Sequence, residues 1–212
     1  MPDEPLDARE RAALCDLFIE AGPDAPTLCA GWSTLDLAAH LLVRETDPRA
    51  GLAILGGDRF ASLERRLMDG ARHQGYQRIV DRLRSGPPLV PWRLPGLRGP
   101  LNTVEWFVHH EDVRRANGRD ARTDRPDLDS ALWTAARRMS WMMLRKVSGA
   151  GVALSAPGFG EVPARGKGPS ARVEGAPQEL VLFLYGRRSV AQVEITGSDE
   201  ALAALAEADL GI

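Results

Sequence analysis

The 212-residue sequence has few cysteines, few lysines and no long apolar run. Its two cysteines, Cys15 and Cys29, make neither a disulfide framework nor a Cys-x-x-Cys metal site, so we expect free thiols and a cytoplasmic location. Only Lys146 and Lys167 are lysines, and a formal net charge of -2 lacks the concentrated basic charge of general nucleic-acid binders. The apolar runs are shorter than the roughly 18–20 residues of a membrane helix, and the acidic start MPDEPLDARERAAL is unlike a signal peptide. We therefore expect neither a nucleic-acid nor a membrane partner.

The composition is typical of a folded chain, with 44% hydrophobic and 26% charged residues. In the first half, apolar residues at helical spacing predict four helices, at about 6–21, 33–45, 58–84 and 103–117. Ser33 and Asp36 suit the first turn of the second of these helices. Five prolines within the segment 85–100 exclude a regular helix there. Four helices with one long crossover indicate a four-helix bundle.

The second half has a different pattern, which begins after the polar segment 119–126. Strands predicted at 151–156, 170–175 and 191–196 alternate with helices predicted at 128–146, 177–188 and 199–208. The segment 157–170 contains scattered glycines without the strand–loop–helix order of a phosphate-binding loop, and we predict a flexible hairpin or loop. We therefore divide the chain into a helical bundle at 1–125 and a small α+β domain at 126–212.

The predicted helix 103–117 carries three ionisable side chains on one stripe, Glu105, His109 and Asp112, between apolar neighbours. Polar groups in such surroundings are costly unless they are paired or bind a metal. Glu105 and His109 are four residues apart and can converge on one cation, and His40, at the edge of the apolar stripe of the second helix, can supply a third ligand. Two histidines and a carboxylate leave a coordination position open, as in catalytic zinc sites, and also suit iron or nickel. Asp112 can accept an N–H from His109.

The same residues also have ordinary structural interpretations. The acidic residues Glu105, Glu111 and Asp112 can form a surface salt-bridge network with Arg114 and Arg115, and His40 can be a hydrogen-bonded core histidine.

Four further residues are weaker candidates. His110 lies about 100° around the helix from His109, which favours a surface or helix-contact role. Arg44, four residues after His40, can face the same cavity and bind a carboxylate, or point into solvent. Arg187 can reach an anionic ligand at the mouth of the bundle, or complement a helix dipole. His73 is predicted to be an exposed helix residue, and neither cysteine has a histidine nearby in sequence that indicates a nucleophile.

Two segments resemble a known family. GWSTLDLAAHLL, followed by NTVEWFVHHEDVRRA, resembles the mycothiol-dependent maleylpyruvate isomerase family, a branch of the DinB-like metal-binding four-helix bundles. The segment PQELVLFLYGRRSVAQVEITGSDEALAAL is similar to the small α+β domain that follows the bundle in that family. The doubled histidine and the EDVRRA run resemble an actinobacterial subgroup rather than the isomerase itself. The resemblance implies a mainly α fold, with His40, Glu105 and His109 as metal ligands and Asp112 behind them.

The resemblance also implies a metal-dependent enzyme that uses mycothiol as a thiol co-substrate on a small electrophile, as an isomerase or an S-transferase. The divalent metal would be zinc, with nickel and iron as alternatives, and no catalytic residue beyond the metal ligands is singled out. Arg44 and Arg187 would orient carboxylates of the thiol or the substrate. Two alternatives stay open, a non-catalytic metal-binding or ligand-sensing bundle and a purely structural or dimerising bundle without metal. Both a monomer and a homodimer are compatible with the sequence.

Overall fold

The structure is a computed structural model that describes residues 4–47, 49, 61–86, 99–167 and 170–211. Within these residues the chain is mainly α-helical, with a small sheet near the C-terminus. The chain divides into two compact units, Met1–Ala121 and Arg122–Ile212. Among the helices in these ranges, none combines the length and the apolar character needed to cross a bilayer.

The described part of the first unit contains five helices: α1 (Leu6–Ala21), α2 (Thr34–Thr46), α3 (Ala61–Arg72), α4 (Tyr76–Ser85) and α5 (Gly99–Ala116). Helix α1 packs against α4 and α5, and α2 packs against α3 and α4. The core between them is built from buried apolar side chains, which include Leu14, Phe18, Leu37, Leu41, Leu42, Ile79, Val80, Leu83, Trp106 and Val113. Side chains of α2 and α5 approach one another beside this core, at the candidate site described below.

The prediction of one helix over 58–84 is wrong, because α3 ends at Arg72 and α4 begins at Tyr76. Gly75 precedes α4 with φ 87° and ψ 142°, a conformation that side-chain-bearing residues rarely adopt. The apolar periodicity continues through both helices, so it gives no sign of the break. Residues 58–60 and most of the predicted crossover, 87–98, lie outside the described residues.

The start of α2 agrees with the predicted cap. The Ser33 hydroxyl accepts the backbone N–H of Asp36, and the Asp36 carboxylate accepts the backbone N–H of Ser33 at 2.8 Å. This reciprocal pair satisfies two amides that a helix terminus otherwise leaves without partners. It fixes the first turn of α2 two turns before His40.

The second unit consists of α6 (Pro126–Met143), β1 (Gly151–Ala156), β2 (Gly160–Arg165), β3 (Ser170–Glu174), α7 (Pro177–Leu184), β4 (Glu194–Gly197) and α8 (Asp199–Glu207). The strand order is β2-β1-β3-β4, with β1 and β3 parallel and the two outer pairs antiparallel. Every residue of α7 is buried, and this helix packs against α6 and β1. The helix is apolar on nearly all sides because it forms the centre of the unit.

Of the two alternatives predicted over 157–170, a flexible hairpin or a loop, the structure shows the hairpin, with β2 as a strand that the sequence does not predict. Residues 160–165 pair with β1 in an antiparallel hairpin. Only Ala164 is buried in this strand, and Pro163 interrupts its apolar pattern. Such a strand is tolerated at the edge of a sheet, where one side of its backbone needs no partner.

Candidate metal centre

Helices α2 and α5 bring three potential metal ligands together. One ligand atom from each of His40, Glu105 and His109 lies within 4.8 Å of the other two. The ring centroids of His40 and His109 are 5.6 Å apart. Glu105 and His109 share a face of α5 because they are four residues apart. Ligand atoms about 2.1 Å from one ion are at most about 4.2 Å apart, so small side-chain rotations would bring all three onto a single cation.

Asp112 lies behind His109 and is completely buried. Its Oδ2 is 3.0 Å from Nδ1 of His109. With Asp112 as the carboxylate, Nδ1–H of His109 donates to it, and Nε2 is then the nitrogen that can coordinate a cation. A carboxylate on the far nitrogen of a ligand histidine is the arrangement found in many metalloproteins.

Arg44 forms an ion pair with the Glu105 carboxylate. The Arg44 side chain is 31% exposed and that of Glu105 is 13% exposed, so the pair lies at the boundary between the site and solvent. The structure therefore places Arg44 at the site rather than in bulk solvent. A cation bound to Glu105 would take over part of the role of Arg44 in neutralising this carboxylate.

The loop before α2 forms another side of the site. The backbone N–H of Trp32 donates to the carbonyl of Cys29 at 2.9 Å, and Gly31 between them has φ 76°, as a tight turn of this kind requires. At one end of the turn, the Trp32 ring packs against His40 with centroids 5.1 Å apart. At the other end, the Cys29 thiol donates to Oδ2 of Asp112 at 3.3 Å.

Cys29 is the site residue that sequence reasoning missed. It is 83 positions from Asp112 in sequence, and no spacing pattern joins the two. Its Sγ also lies within 4.8 Å of ligand atoms of His109 and Asp112, so these three residues form a second candidate ligand group that shares His109 with the first. The only local signal is the Cys-Ala-Gly-Trp turn directly before the cap of α2.

The other ionisable residues of α5 have structural roles. His110 is buried, and its Nδ1 is 3.3 Å from Oε2 of the equally buried Glu10 on α1, so its predicted helix-contact role is confirmed and its surface role is wrong. Glu111 pairs with Arg115 at 2.6 Å and with Arg114 at 3.3 Å. The predicted pairs of Glu111 with Arg114 and Arg115 are present, but the Glu111 carboxylate is buried, so the prediction of a surface network is wrong for this residue.

Arg187 belongs to the second unit, where it follows α7. Its guanidinium donates to the carbonyl of Tyr185 at 2.7 Å. A cation at this end of a helix is electrostatically favourable. The role of Arg187 toward an anionic ligand stays a prediction.

The fold is similar to that of crystal structures of mycothiol-dependent maleylpyruvate isomerase. A histidine-to-alanine mutant of that enzyme matches with a TM-score of 0.50 and 19% identity, over 92% of this chain and 94% of that chain. A second structure matches with a TM-score of 0.49 and 19% identity, over 91% of this chain and 89% of that chain. No protein-family model matches the sequence. No curated protein matches it either.

Proposed function

We propose that this protein is a metal-dependent enzyme that uses a low-molecular-weight thiol on a small electrophilic substrate. The observation that carries the proposal is the convergence of His40, Glu105 and His109 from two helices. Their donor atoms, two imidazole nitrogens and one carboxylate oxygen, suit zinc, with iron and nickel as alternatives.

Three protein ligands leave room for a further ligand, and this distinguishes catalytic from structural zinc sites. His40, Glu105 and His109 would hold the ion, which would supply the positive charge that lowers the pKa of a thiol toward neutrality. We propose mycothiol as the thiol, supported by the similarity of the fold to that of a mycothiol-dependent isomerase. The reaction would be an isomerisation or an S-transfer, and a cytoplasmic location would keep the thiol reduced.

The side chains around the ligands have separate roles in this proposal. Asp112 holds Nδ1 of His109 and thereby fixes the direction of Nε2. Trp32 packs against His40 and limits the rotation of its ring. Arg44 exchanges its partner when Glu105 coordinates a cation, and its planar guanidinium can then bind a carboxylate of the thiol or the substrate.

Elemental analysis of the purified protein tests the ligand set. We expect one equivalent of a divalent metal in the parent protein and almost none in His40→Ala, Glu105→Gln or His109→Ala. His73→Ala is the matched control, since His73 is exposed in the turn after α3. A parent protein without metal after incubation with zinc would refute the site, and so would site variants that keep the parent content.

Thiol-dependent turnover separates catalysis from sensing. The metal-loaded protein is assayed with electrophilic carboxylates in the presence and absence of mycothiol. We expect turnover only with both metal and thiol, and its loss in His109→Ala. Stoichiometric metal without thiol-dependent turnover on any electrophile would favour a non-catalytic metal-binding or ligand-sensing protein.

A further inference from the structure

The contact between the turn at Cys29 and helix α5 involves both the backbone and a side chain. The backbone N–H of Leu28 donates to the carbonyl of Asp112 at 3.1 Å, and the Cys29 thiol donates to Oδ2 of the same residue at 3.3 Å. A further contact joins the Nδ2 amide of Asn117 to the carbonyl of Pro26 at 3.0 Å. The loop is therefore held at several points against the C-terminal part of α5 and the residue that follows this helix.

Asp112 Oδ2 receives two side-chain donors, His109 Nδ1 at 3.0 Å and Cys29 Sγ at 3.3 Å. The carboxylate is fully buried, so both donors offset the cost of removing its charge from water. A carboxylate hydrogen-bonded to one ring nitrogen of a histidine helps to fix the orientation of that ring. A donor that holds the carboxylate thus acts on His109 without touching it.

We propose that Cys29 is a positioning residue for His109 and acts through Asp112. This role rests on the proposed function, which assigns His109 as a metal ligand. Cys29, Asp112 and His109 form a chain of two hydrogen bonds that ends at the proposed metal position. Removal of a residue that hydrogen-bonds to a metal ligand, or to its partner, typically weakens metal binding about 10-fold to 100-fold.

A competing interpretation makes Cys29 a ligand itself, since Sγ lies within 4.8 Å of ligand atoms of His109 and Asp112. Coordination by the thiolate would remove the S–H donor from Asp112 and would turn His109 to bind through Nδ1. With Nδ1–H of His109 donating to Asp112, Nε2 is the nitrogen that carries the lone pair for a cation shared with His40 and Glu105. We therefore place Cys29 outside the coordination sphere.

The test titrates the full-length protein with Co²⁺ and records the absorption spectrum. We expect no thiolate-to-cobalt charge-transfer band in the parent. Cys29→Ala should weaken Co²⁺ binding about 10-fold, whereas Cys29→Ser, which keeps a hydroxyl donor, should stay close to the parent. Cys15→Ala is the matched control, because Cys15 is buried in the core of the same unit and lies outside the metal-ligand groups found in the described residues.

A second measurement uses metal-free protein and does not depend on the proposed function. Nitrogen-15 NMR of the imidazoles at pH 8, above the usual histidine pKa of about 6.5, reports which nitrogen of His109 carries the proton. We expect the Nδ1–H form in the parent and in Cys29→Ser, and a mixture of forms in Cys29→Ala. Circular dichroism establishes that each variant is folded.

The outcomes separate the two proposals. A charge-transfer band that disappears in Cys29→Ser would show that Cys29 is a ligand and would overturn the positioning role. Unchanged Co²⁺ affinity in a folded Cys29→Ala would also overturn it. If the parent binds no metal, the proposed function fails, and the proton position on His109 alone decides whether Cys29 positions this ring.

Discussion

The two cysteines of the first unit occupy different chemical environments. Cys15 is completely buried in α1, and burial raises the pKa of its thiol to about 12, against opposing effects of Arg84 and Arg11. Cys29 lies at the edge of the site and is partly exposed. The thiolate is the reactive form of cysteine. Cys15 is both buried and held as the thiol, whereas a reagent in solution can reach Cys29.

A thiol-specific reagent should therefore count one cysteine in the native protein at pH 8 and two after unfolding. Cys15→Ala should keep the native count of one, and Cys29→Ser should reduce it to zero. The absorbance of the released reagent anion measures both numbers. Rapid reaction of two thiols in the native protein would contradict the burial of Cys15.

Arg44 lies between the proposed ligands and solvent and pairs with Glu105. Its positive charge repels a cation and therefore weakens metal binding at Glu105. Replacement of Arg44 by Met keeps much of the aliphatic side chain and removes the charge. We expect Arg44→Met to bind zinc about 3-fold to 10-fold more tightly in low salt, with a smaller difference in high salt because ions screen the repulsion. Competition with a chelating dye measures the affinity. Weaker binding in this variant would show that Arg44 supports the site in another way.

At the scale of the elements, the start of α2 is joined to α3 through Asp36. Burial opposes ionisation of Asp36, but hydrogen bonds from the Ser33 backbone and hydroxyl, together with those from Arg72, outweigh it and lower the pKa of this carboxyl. A carboxyl whose pKa is lowered by folding stabilises the protein above its unfolded pKa of roughly 4. This stabilisation is lost as the pH falls through the lower, folded value.

Asp36→Asn should consequently cost about 1 kcal/mol at pH 7, and the difference from the parent should shrink as the pH falls from 5 to 3. Urea unfolding followed by circular dichroism at several pH values measures it. Asp24→Asn, at an exposed position, serves as the control and should follow the parent. An equal difference at pH 7 and pH 3 would exclude a contribution from the Asp36 charge.

The sequence predicts best those helices that begin or end at a capping residue, a glycine or a proline. Helix α1 has the predicted bounds, because Gly22-Pro23 ends its apolar pattern, and Ser33 marks the start of α2. The prediction fails at Gly75, where the backbone turns within an apolar pattern that continues. It leaves a hairpin and a loop open at β2, because the six residues of this strand contain one buried side chain. A strand of this kind forms because its partner is present, and its own residues carry little of that information.

The candidate site likewise combines features set by local sequence with features that depend on distant segments. The spacing of Glu105, His109 and Asp112 follows from one helix, so their common face can be read from the sequence. The approach of His40 needs the packing of α2 near α5, for which the apolar stripe of α2 gives an indication. Cys29 could not be found in this way, because its contact with Asp112 depends on how a loop lies against a distant helix.

At the scale of the whole molecule, all three proposed ligands belong to the first compact unit, and the second unit supplies none. A ligand that binds only the folded state stabilises it by about 2.7 kcal/mol at a free concentration 100 times its dissociation constant. Zinc at that concentration should slow the most protected amides of residues 6–116 by about 100-fold, with its direct effect limited to this unit.

Hydrogen exchange followed by mass spectrometry measures this effect, with peptides from 126–207 as the internal reference. His109→Ala should show no zinc-dependent protection at all. Equal protection of peptides from both units would mean that the metal binds elsewhere or that the units unfold together.

The sheet of the second unit has two margins, and each is poorly suited to accept another chain. One is β2, where Pro163 has no N–H to offer, and the other is β4, which is only four residues long and ends at Gly197. A hydrogen-bonded ladder extended from either side would lose its register within a few residues. We therefore expect copies of this protein at high concentration to resist joining strand to strand into fibrous aggregates, and Pro163→Val to weaken that resistance.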